Sequence, residues 1–441
     1  MYRKGTMALA VAAALGLPHA ATAQTQDELR ALREQVRQLD KRVQDAETIA
    51  QQAAVQASSR PASESAMNPA VSVILNGIYS NLSQDPKTFR INGFVPTLGD
   101  VGPGVRGLSL GEYELAIAAN IDHHFRGTLI ASISPEDSIG VEEGYIQTLS
   151  LSYGFTVKAG RFFSAVGYQN QIHAHAWDFT DAPLANKVFL GNQLNEDGIQ
   201  LKWVAPTDTY FDVGVEVGRG RQFPAAAGLA GPRNKNGVGS GNFFAHLGGD
   251  LGTGVAWQTG VSYLSTSPQD RTFDTLDSAE APVTDSFTGK SRLWVLDGIL
   301  KWAPNYNPTY TNFKLQGEFF RRRENGDLTF DSATTGGFAS QQSGWYLQGV
   351  YQFVPMWRVG YRYDRLDSGT TSFSTPLTAA DFPILAAYNP TRHTVMVDWS
   401  PSEFSRIRLQ AASDKSRSDA TDHQVFLQYI VSLGAHGAHK F

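Results

Sequence analysis

Two histidines one residue apart, His173 and His175, are the side chains of this 441-residue sequence best suited to metal chemistry. On extended backbone a His-x-His pair presents both imidazoles on one face, because strand side chains alternate with a period of two. Imidazole is a good ligand for zinc, copper or nickel. A zinc site needs at least a third ligand, and Asp178 is a candidate. The competing reading is a pair of ordinary hydrogen-bonding loop residues. His436 and His439 lie near the C-terminus, and His123-His124 follow Asp122 in a stretch that reads as a tight turn. Catalytic patterns are missing: there is no Gly-x-Ser-x-Gly and no His-Glu-x-x-His, and Gly237-Val-Gly-Ser-Gly241 reads as loop flexibility rather than a phosphate cradle. With 0 Cys, disulfides, thiolate metal sites and thiol catalysis are excluded. The chain is expected not to be an enzyme, to carry no cofactor and to bind no nucleic acid.

The elements that must position these residues are legible from Val71 onward. Short segments alternate apolar and polar residues, and about 16 of them have the length a tilted strand needs to cross a bilayer. In Trp357–Asp364 the set Trp357, Val359, Tyr361 and Tyr363 would face lipid, and Arg358, Gly360, Arg362 and Asp364 would face a lumen. Phe211, Val213, Val215 and Val217 oppose Asp212, Gly214 and Glu216 in the same way, and His393, Val395, Val397 and Trp399 oppose Thr394, Met396 and Asp398. The last segment keeps one parity from Val425 to Leu433, and that parity lands on Phe441. Tight connections are expected at Ile121–His123, Pro206–Asp208, Leu251–Gly254, Val354–Met356 and Pro401–Glu403. Long ones are expected at Asn81–Ser109, Phe163–Asp197, Arg219–Gly241, Thr266–Lys290, Arg323–Ser343 and Asp367–Pro390. Alternately tight and long connections suit a membrane barrel with short periplasmic turns and freer outer loops. The fold class is therefore all-β, a transmembrane antiparallel β-barrel.

Parity also sorts the wet face by charge. Glu112, Glu114, Glu142, Asp212 and Glu216 fall on early strands. Lys314, Arg322, Arg358, Arg362, Arg406 and Arg408 fall on late ones. In a closed barrel these become partly opposed walls, giving either a transverse field across a pore or merely solvated lumen charge. The totals roughly balance, so phosphate selectivity does not follow, although the late arginines leave room for a modest anion preference.

The N-terminus has an address and a tether. Arg3 and Lys4 precede the apolar run Met7–Leu17, and Ala21-Thr22-Ala23 supplies a small-residue cleavage pattern. A signal peptide over 1–23 is expected, with cleavage before Gln24. Over 24–57, Leu29, Leu32, Val36, Leu39, Val43, Ala46, Ala50 and Ala53 fall at heptad a and d positions, predicting an α-helical coiled coil. Residues 58–70 have linker composition, and 71–441 form the barrel.

With these features in place, the sequence resembles the Gram-negative porins, and more narrowly the phosphate-selective porin-like group. The segment Val157-Lys-Ala-Gly-Arg161-Phe-Phe-Ser-Ala-Val-Gly167-Tyr168 carries that likeness, and an N-terminal coiled coil ahead of the barrel occurs among the group's relatives. The resemblance implies an outer-membrane channel, usually trimeric, for passive diffusion of small hydrophilic solutes or ions. It also implies that the third outward loop, 163–197, folds into the lumen as a constriction. Tyr168, His173, His175, Asp178, Asp181 and Lys187 would then line the pore with Glu112, Glu114, Arg322, Arg358, Arg362, Arg406 and Arg408 of the wall. Lipid and lipopolysaccharide are the expected surroundings. The alternatives are a zinc-related uptake protein using His173 and His175, or an envelope tether whose coiled coil reaches peptidoglycan.

Overall fold

The computed structural model describes residues 69–97, 101–135, 138–226, 236–304 and 307–434. The expected signal peptide, the coiled coil, most of the linker, His436, His439 and Phe441 lie outside the described residues.

Strands dominate the rest. The first seven are β1 (Ala70–Leu82), β2 (Gly107–Leu110), β3 (Tyr113–Asn120), β4 (Phe125–Ile133), β5 (Ile139–Thr148), β6 (Phe155–Phe163) and β7 (Asn195–Val204). Then come β8 (Tyr210–Gly218), β9 (Ser240–Leu251), β10 (Val255–Thr266), β11 (Arg271–Leu276) and β12 (Pro282–Trp302). The last six are β13 (Asn312–Phe330), β14 (Thr334–Val354), β15 (Trp357–Phe373), β16 (Thr391–Ser402), β17 (Ser405–Lys415) and β18 (Asp422–Gly434). They form one 18-segment antiparallel sheet. Both β2 and β3 pair with β1, and both β10 and β11 pair with β12, so each couple is a single interrupted stave. The wall thus has sixteen staves. It closes where β1 pairs with β18, from Ser72 opposite Gly434 to Leu82 opposite Gln424. Closure gives each stave a ladder on both sides along the barrel, while β2, β11 and the end of β15 beyond Arg365 are paired on one side among the described residues.

The alternation read from sequence is the alternation of the wall. Trp357, Val359 and Tyr361 are exposed on the outer surface, whereas Arg362 and Asp364 are buried within. The same holds for Val215 and Val217 against Asp212 and Glu216, and for Val395 and Trp399 against Met396 and Asp398. Exposed Leu, Val, Phe, Trp and Tyr side chains continue around the wall, among them Leu129, Leu201, Leu247, Leu296, Leu347, Leu409 and Leu427. A belt of this extent needs an apolar solvent, since water-soluble monomers rarely expose patches beyond a few hundred Å². The tight connections fall where expected. Asp122 closes one of them by accepting from the backbone N–H of His124 (2.6 Å) and Phe125 (2.9 Å).

Two expected long connections are wall instead, and a third, Asp367–Pro390, is wall at its start and a connection from 374 to 390. Thr266–Lys290 holds β11 and the first part of β12, Arg323–Ser343 is the paired ends of β13 and β14 with a tight turn at 331–333, and β15 continues to Phe373. β12 and β14 have 21 residues each, β13 has 19 and β15 has 17, beyond the roughly 9–11 a bilayer crossing needs. The polarity of the projecting part is inverted. Phe273, Phe287, Leu328 and Phe338 point inward and are buried, while Thr272, Asp274, Thr288 and Asp327 face out and are exposed. They pack with Val95, Leu377, Phe382, Ile384 and Leu385 of the loop-end connections. Beyond the belt the wall behaves like a water-soluble sheet, with its core inside.

Candidate functional site

The connection between β6 and β7, residues 164–194, folds into the barrel. Its two ends are held by the fully buried Asn170, whose Nδ2 donates to the carbonyl oxygens of Ser164 (2.8 Å) and Leu194 (2.9 Å). The Oδ1 of Asn170 accepts from the Leu194 N–H at 2.7 Å. Midway, Leu184–Leu190 forms helix α1, every residue of which is buried. Phe189 stacks on Phe320 with centroids 5.7 Å apart and meets Phe94 edge-on at 5.9 Å. Leu293, Val295, Phe320, Tyr346 and Leu366 complete this cluster, so α1 is seated against the inner face of β12–β15. Gly191, at φ +64°, ends the helix in the left-handed conformation that glycine adopts without strain.

On one side the loop meets acid. His173 Nε2 lies 3.0 Å from Glu143 Oε2, and its Nδ1 lies 3.3 Å from Glu142 Oε2 and 3.4 Å from Glu114 Oε2. His175 Nδ1 lies 2.7 Å from Glu114 Oε1. Burial disfavours a charged imidazole, but the hydrogen bonds to Glu114, Glu142 and Glu143 outweigh it and hold the His173 pKa well above its ordinary value. Two adjacent glutamates reach this point because β5 bulges. Ile130 opposes Glu143 and Ala131 opposes Val141, so Glu142 is the extra residue and both carboxylates turn inward. Parity alone selects Glu142 and misses Glu143. The signal was the Glu-Glu doublet itself, since a regular strand would place one of the two in lipid.

On the other side the loop meets base. Asp178 accepts from Arg358 Nη1 (3.2 Å) and Gln348 Nε2 (3.1 Å) and pairs with Lys314. Asp181 accepts from Arg362 Nη2, Lys187 Nζ and Gln410 Nε2, each at 3.1 Å, and pairs with Arg392. The Trp177 carbonyl oxygen accepts from Arg408 Nη2 (2.8 Å) and Arg406 Nη1 (3.2 Å). Burial alone would raise both aspartates. Lys314 and Arg358 hold Asp178 well below the usual carboxylate range, and Arg392, Lys187 and Arg362 do the same for Asp181. For Lys187, burial wins over Asp181 and lowers its pKa. Asp178 is therefore not the third partner of the histidines. The short 3-10 turn Ala174–Ala176 redirects the chain after His173, and Asp178 engages the basic wall.

The two walls of opposite charge are present, yet they face the loop rather than a bare lumen. Arg322 is fully buried beneath α1, donating to the Val188 carbonyl oxygen (3.2 Å) and to Gln342 Oε1 (2.6 Å). Arg362, Arg408 and Lys187 are likewise buried. Tyr168 is half-buried and its N–H is bonded to Glu318, while Glu112 sits half-buried in the break between β2 and β3. Arg392, Gln410 and Glu318, absent from the expected set, bind the loop as closely as the residues in it. Solvent reaches the inner face mainly toward the tight-turn end. There Lys158, Lys202, Lys301, Lys314, Arg358 and Arg406 are half-buried, while Asp212, Asp297 and Asp398 are buried. Lys202 pairs with Asp212, Lys314 with Asp178, and Arg358 with Asp178 and Asp398, so part of this basic charge is matched within the wall.

No protein-family model matches the chain. An uncharacterized protein of Aquifex aeolicus (strain VF5) is 32% identical over 354 residues, covering 76% of this chain and 70% of the relative. Among solved structures, a loop-deletion mutant of OmpT, an outer membrane protein of Vibrio cholerae, has a TM-score of 0.51 at 9% identity, over 84% of this chain and 100% of that one. The outer membrane channel DcaP of Acinetobacter baumannii has a TM-score of 0.47 at 11% identity, over 83% and 97% of the two chains. The OmpT likeness is one of fold, a closed antiparallel barrel. Identity of 32% across most of both sequences means that this chain belongs to the same family as the Aquifex aeolicus protein.

Proposed function

We propose that the protein is an outer-membrane channel for passive diffusion of small hydrophilic solutes, with residues 164–194 as its constriction and a bias toward anions. The observation that carries this reading is the loop itself. It crosses the inside of a closed barrel and is fastened to both charged walls, so any path through the barrel must skirt it. The apolar outer belt supports a membrane location. The anion bias rests on the tight-turn mouth, where the half-buried Lys158, Lys202, Lys301, Lys314, Arg358 and Arg406 outnumber Asp178, Asp212, Asp297 and Asp398, the buried carboxylates beside them.

A homotrimer is part of the proposal. The wall from β2 to β6 is built of strands of 4 to 10 residues, far shorter than β12–β15. At its loop-end rim Leu108 is 87% exposed and Ile139 is 76% exposed, apolar surface that a second copy would cover.

Planar-bilayer recording of the purified protein tests the reading. Discrete conductance steps, with a reversal potential in a salt gradient on the anion side, are expected. A protein that inserts and gives no steps would end the channel reading, and a cation-side potential would end the bias.

A further inference from the structure

The strongest unassigned chemistry lies where the loop meets β3 and β5. Three buried glutamates, Glu114, Glu142 and Glu143, converge on His173, and His175 stands beside them with the two imidazole rings stacked 5.8 Å apart. Carboxylates repel one another at such range and are rarely buried together without cations to match. The barrel spends a β-bulge to bring the second of the β5 pair inward.

We propose that His173, Glu114 and Glu142 form a binding site for a first-row divalent cation of the zinc class. The donor atoms of these three residues lie within 4.8 Å of one another. More tellingly, His173 Nδ1 is 3.3 Å from Glu142 Oε2 and 3.4 Å from Glu114 Oε2. Ligands about 2.0–2.1 Å from a tetrahedral zinc stand about 3.3–3.4 Å apart along each edge. Two edges of such a tetrahedron are therefore already drawn. The surroundings also fit. A metal-bound histidine usually gives its other ring nitrogen to a carboxylate, and His173 Nε2 lies 3.0 Å from Glu143 Oε2. Glu143 is itself fixed, since its Oε1 accepts from the Phe163 N–H at 3.0 Å. His175 Nδ1, 2.7 Å from Glu114 Oε1, orients the second carboxylate in the same way.

Two glutamates and a neutral imidazole neutralise a dication, and three protein ligands leave a fourth position for water or for a passing solute. Entry is open, because Gln171 is exposed and residues 172–176 are only partly buried. The ion would join two wall strands to the loop. Binding does not depend on the channel reading, so a failure of either leaves the other to be judged separately.

Isothermal titration of the folded, detergent-solubilised protein with ZnCl2, after chelator treatment, tests the site. One saturable zinc site per chain is expected, weakened at least tenfold in Glu142→Gln and by about ten- to hundredfold in Glu143→Gln, whose Oε2 faces His173 Nε2 and whose Oε1 accepts from the Phe163 N–H. His393→Ala, which removes a histidine from the outer surface, should bind as the parent does. Cobalt gives a second readout, a visible d–d absorption band that Glu142→Gln abolishes. Equal zinc affinity in the parent and Glu142→Gln, or no saturable site in the parent, overturns the proposal.

Discussion

Arg362 grips Asp181 at two points, donating from Nη1 to the Asp181 carbonyl oxygen at 2.8 Å and from Nη2 to its Oδ1 at 3.1 Å. The contact joins the inward loop to β15, and the same carboxylate gathers Lys187, Arg392 and Gln410. His173 performs the matching task at the opposite wall with Glu143. The loop is thus a neutralising bar laid between two walls of opposite sign, and its position follows from charge as much as from the apolar seat of α1.

Asp181→Asn should loosen that bar. It leaves Lys187, Arg362 and Arg392 gathered around a neutral amide, and removing one partner of a buried ion pair costs about 3–5 kcal/mol. Single-channel records should show larger, noisier conductance, and the thermal transition should fall. Asp367→Asn, on the outer surface, serves as control. If the two variants conduct alike, Asp181 does not hold the constriction.

Acid should act on the same contacts. Asp178 and Asp181 are depressed by their cationic partners, so the docking they support is complete above the ordinary aspartate value of about 3.9 and is lost as pH falls through their lower docked values. Conductance is expected to stay level from about pH 7 to 5 and to rise below about pH 4. A rise that begins near neutrality would assign the gate to other groups.

The apolar seat makes a separate prediction. Phe189→Ala removes a fully buried ring stacked on Phe320, an excision that typically costs about 3–5 kcal/mol. Because Phe189 carries no charge, ion selectivity should be unchanged while the thermal transition falls. A selectivity shift would mean that α1 sets the electrostatics as well as the packing.

Why the sequence disclosed some of this and not the rest has a physical explanation. The strand pattern of Trp357–Asp364 is legible because lipid outside and polar groups inside impose one rule at every second residue. That rule reverses in the projecting ends of β11–β14, where Phe273 and Phe338 point inward, so a search for apolar-out alternation reads them as loops. Helix α1 is only seven residues long and buried all round, so it has no polar face to give it a period. The Glu142-Glu143 doublet carried its own warning of a bulge. The pairing of Asp178 with the basic wall carried none, because it depends on how the chain turns at Ala174–Ala176.

The loop-end surface outside the barrel supports a final prediction, about lipopolysaccharide. Arg292 on β12 and Arg321 and Arg323 on β13 point outward and are exposed. Arg321 stands opposite Trp294, and Arg292 opposite Arg323 two residues farther along, at the boundary between the aromatic belt and the polar outer wall. Lys290 extends the patch, and a cavity of about 220 Å³ lined by Phe319, Arg321, Gln341, Ser343 and Asp367 adjoins it. Guanidinium groups bind phosphate through two parallel hydrogen bonds, and the phosphorylated head of an outer-leaflet glycolipid would lie at this height while its acyl chains cover the belt. Replacing Arg292, Arg321 and Arg323 by alanine should sharply reduce the lipopolysaccharide that copurifies with the protein and leave conductance unchanged, as none of the three faces the lumen. Copurification at the parent's level would show that acyl-chain contact alone recruits the lipid.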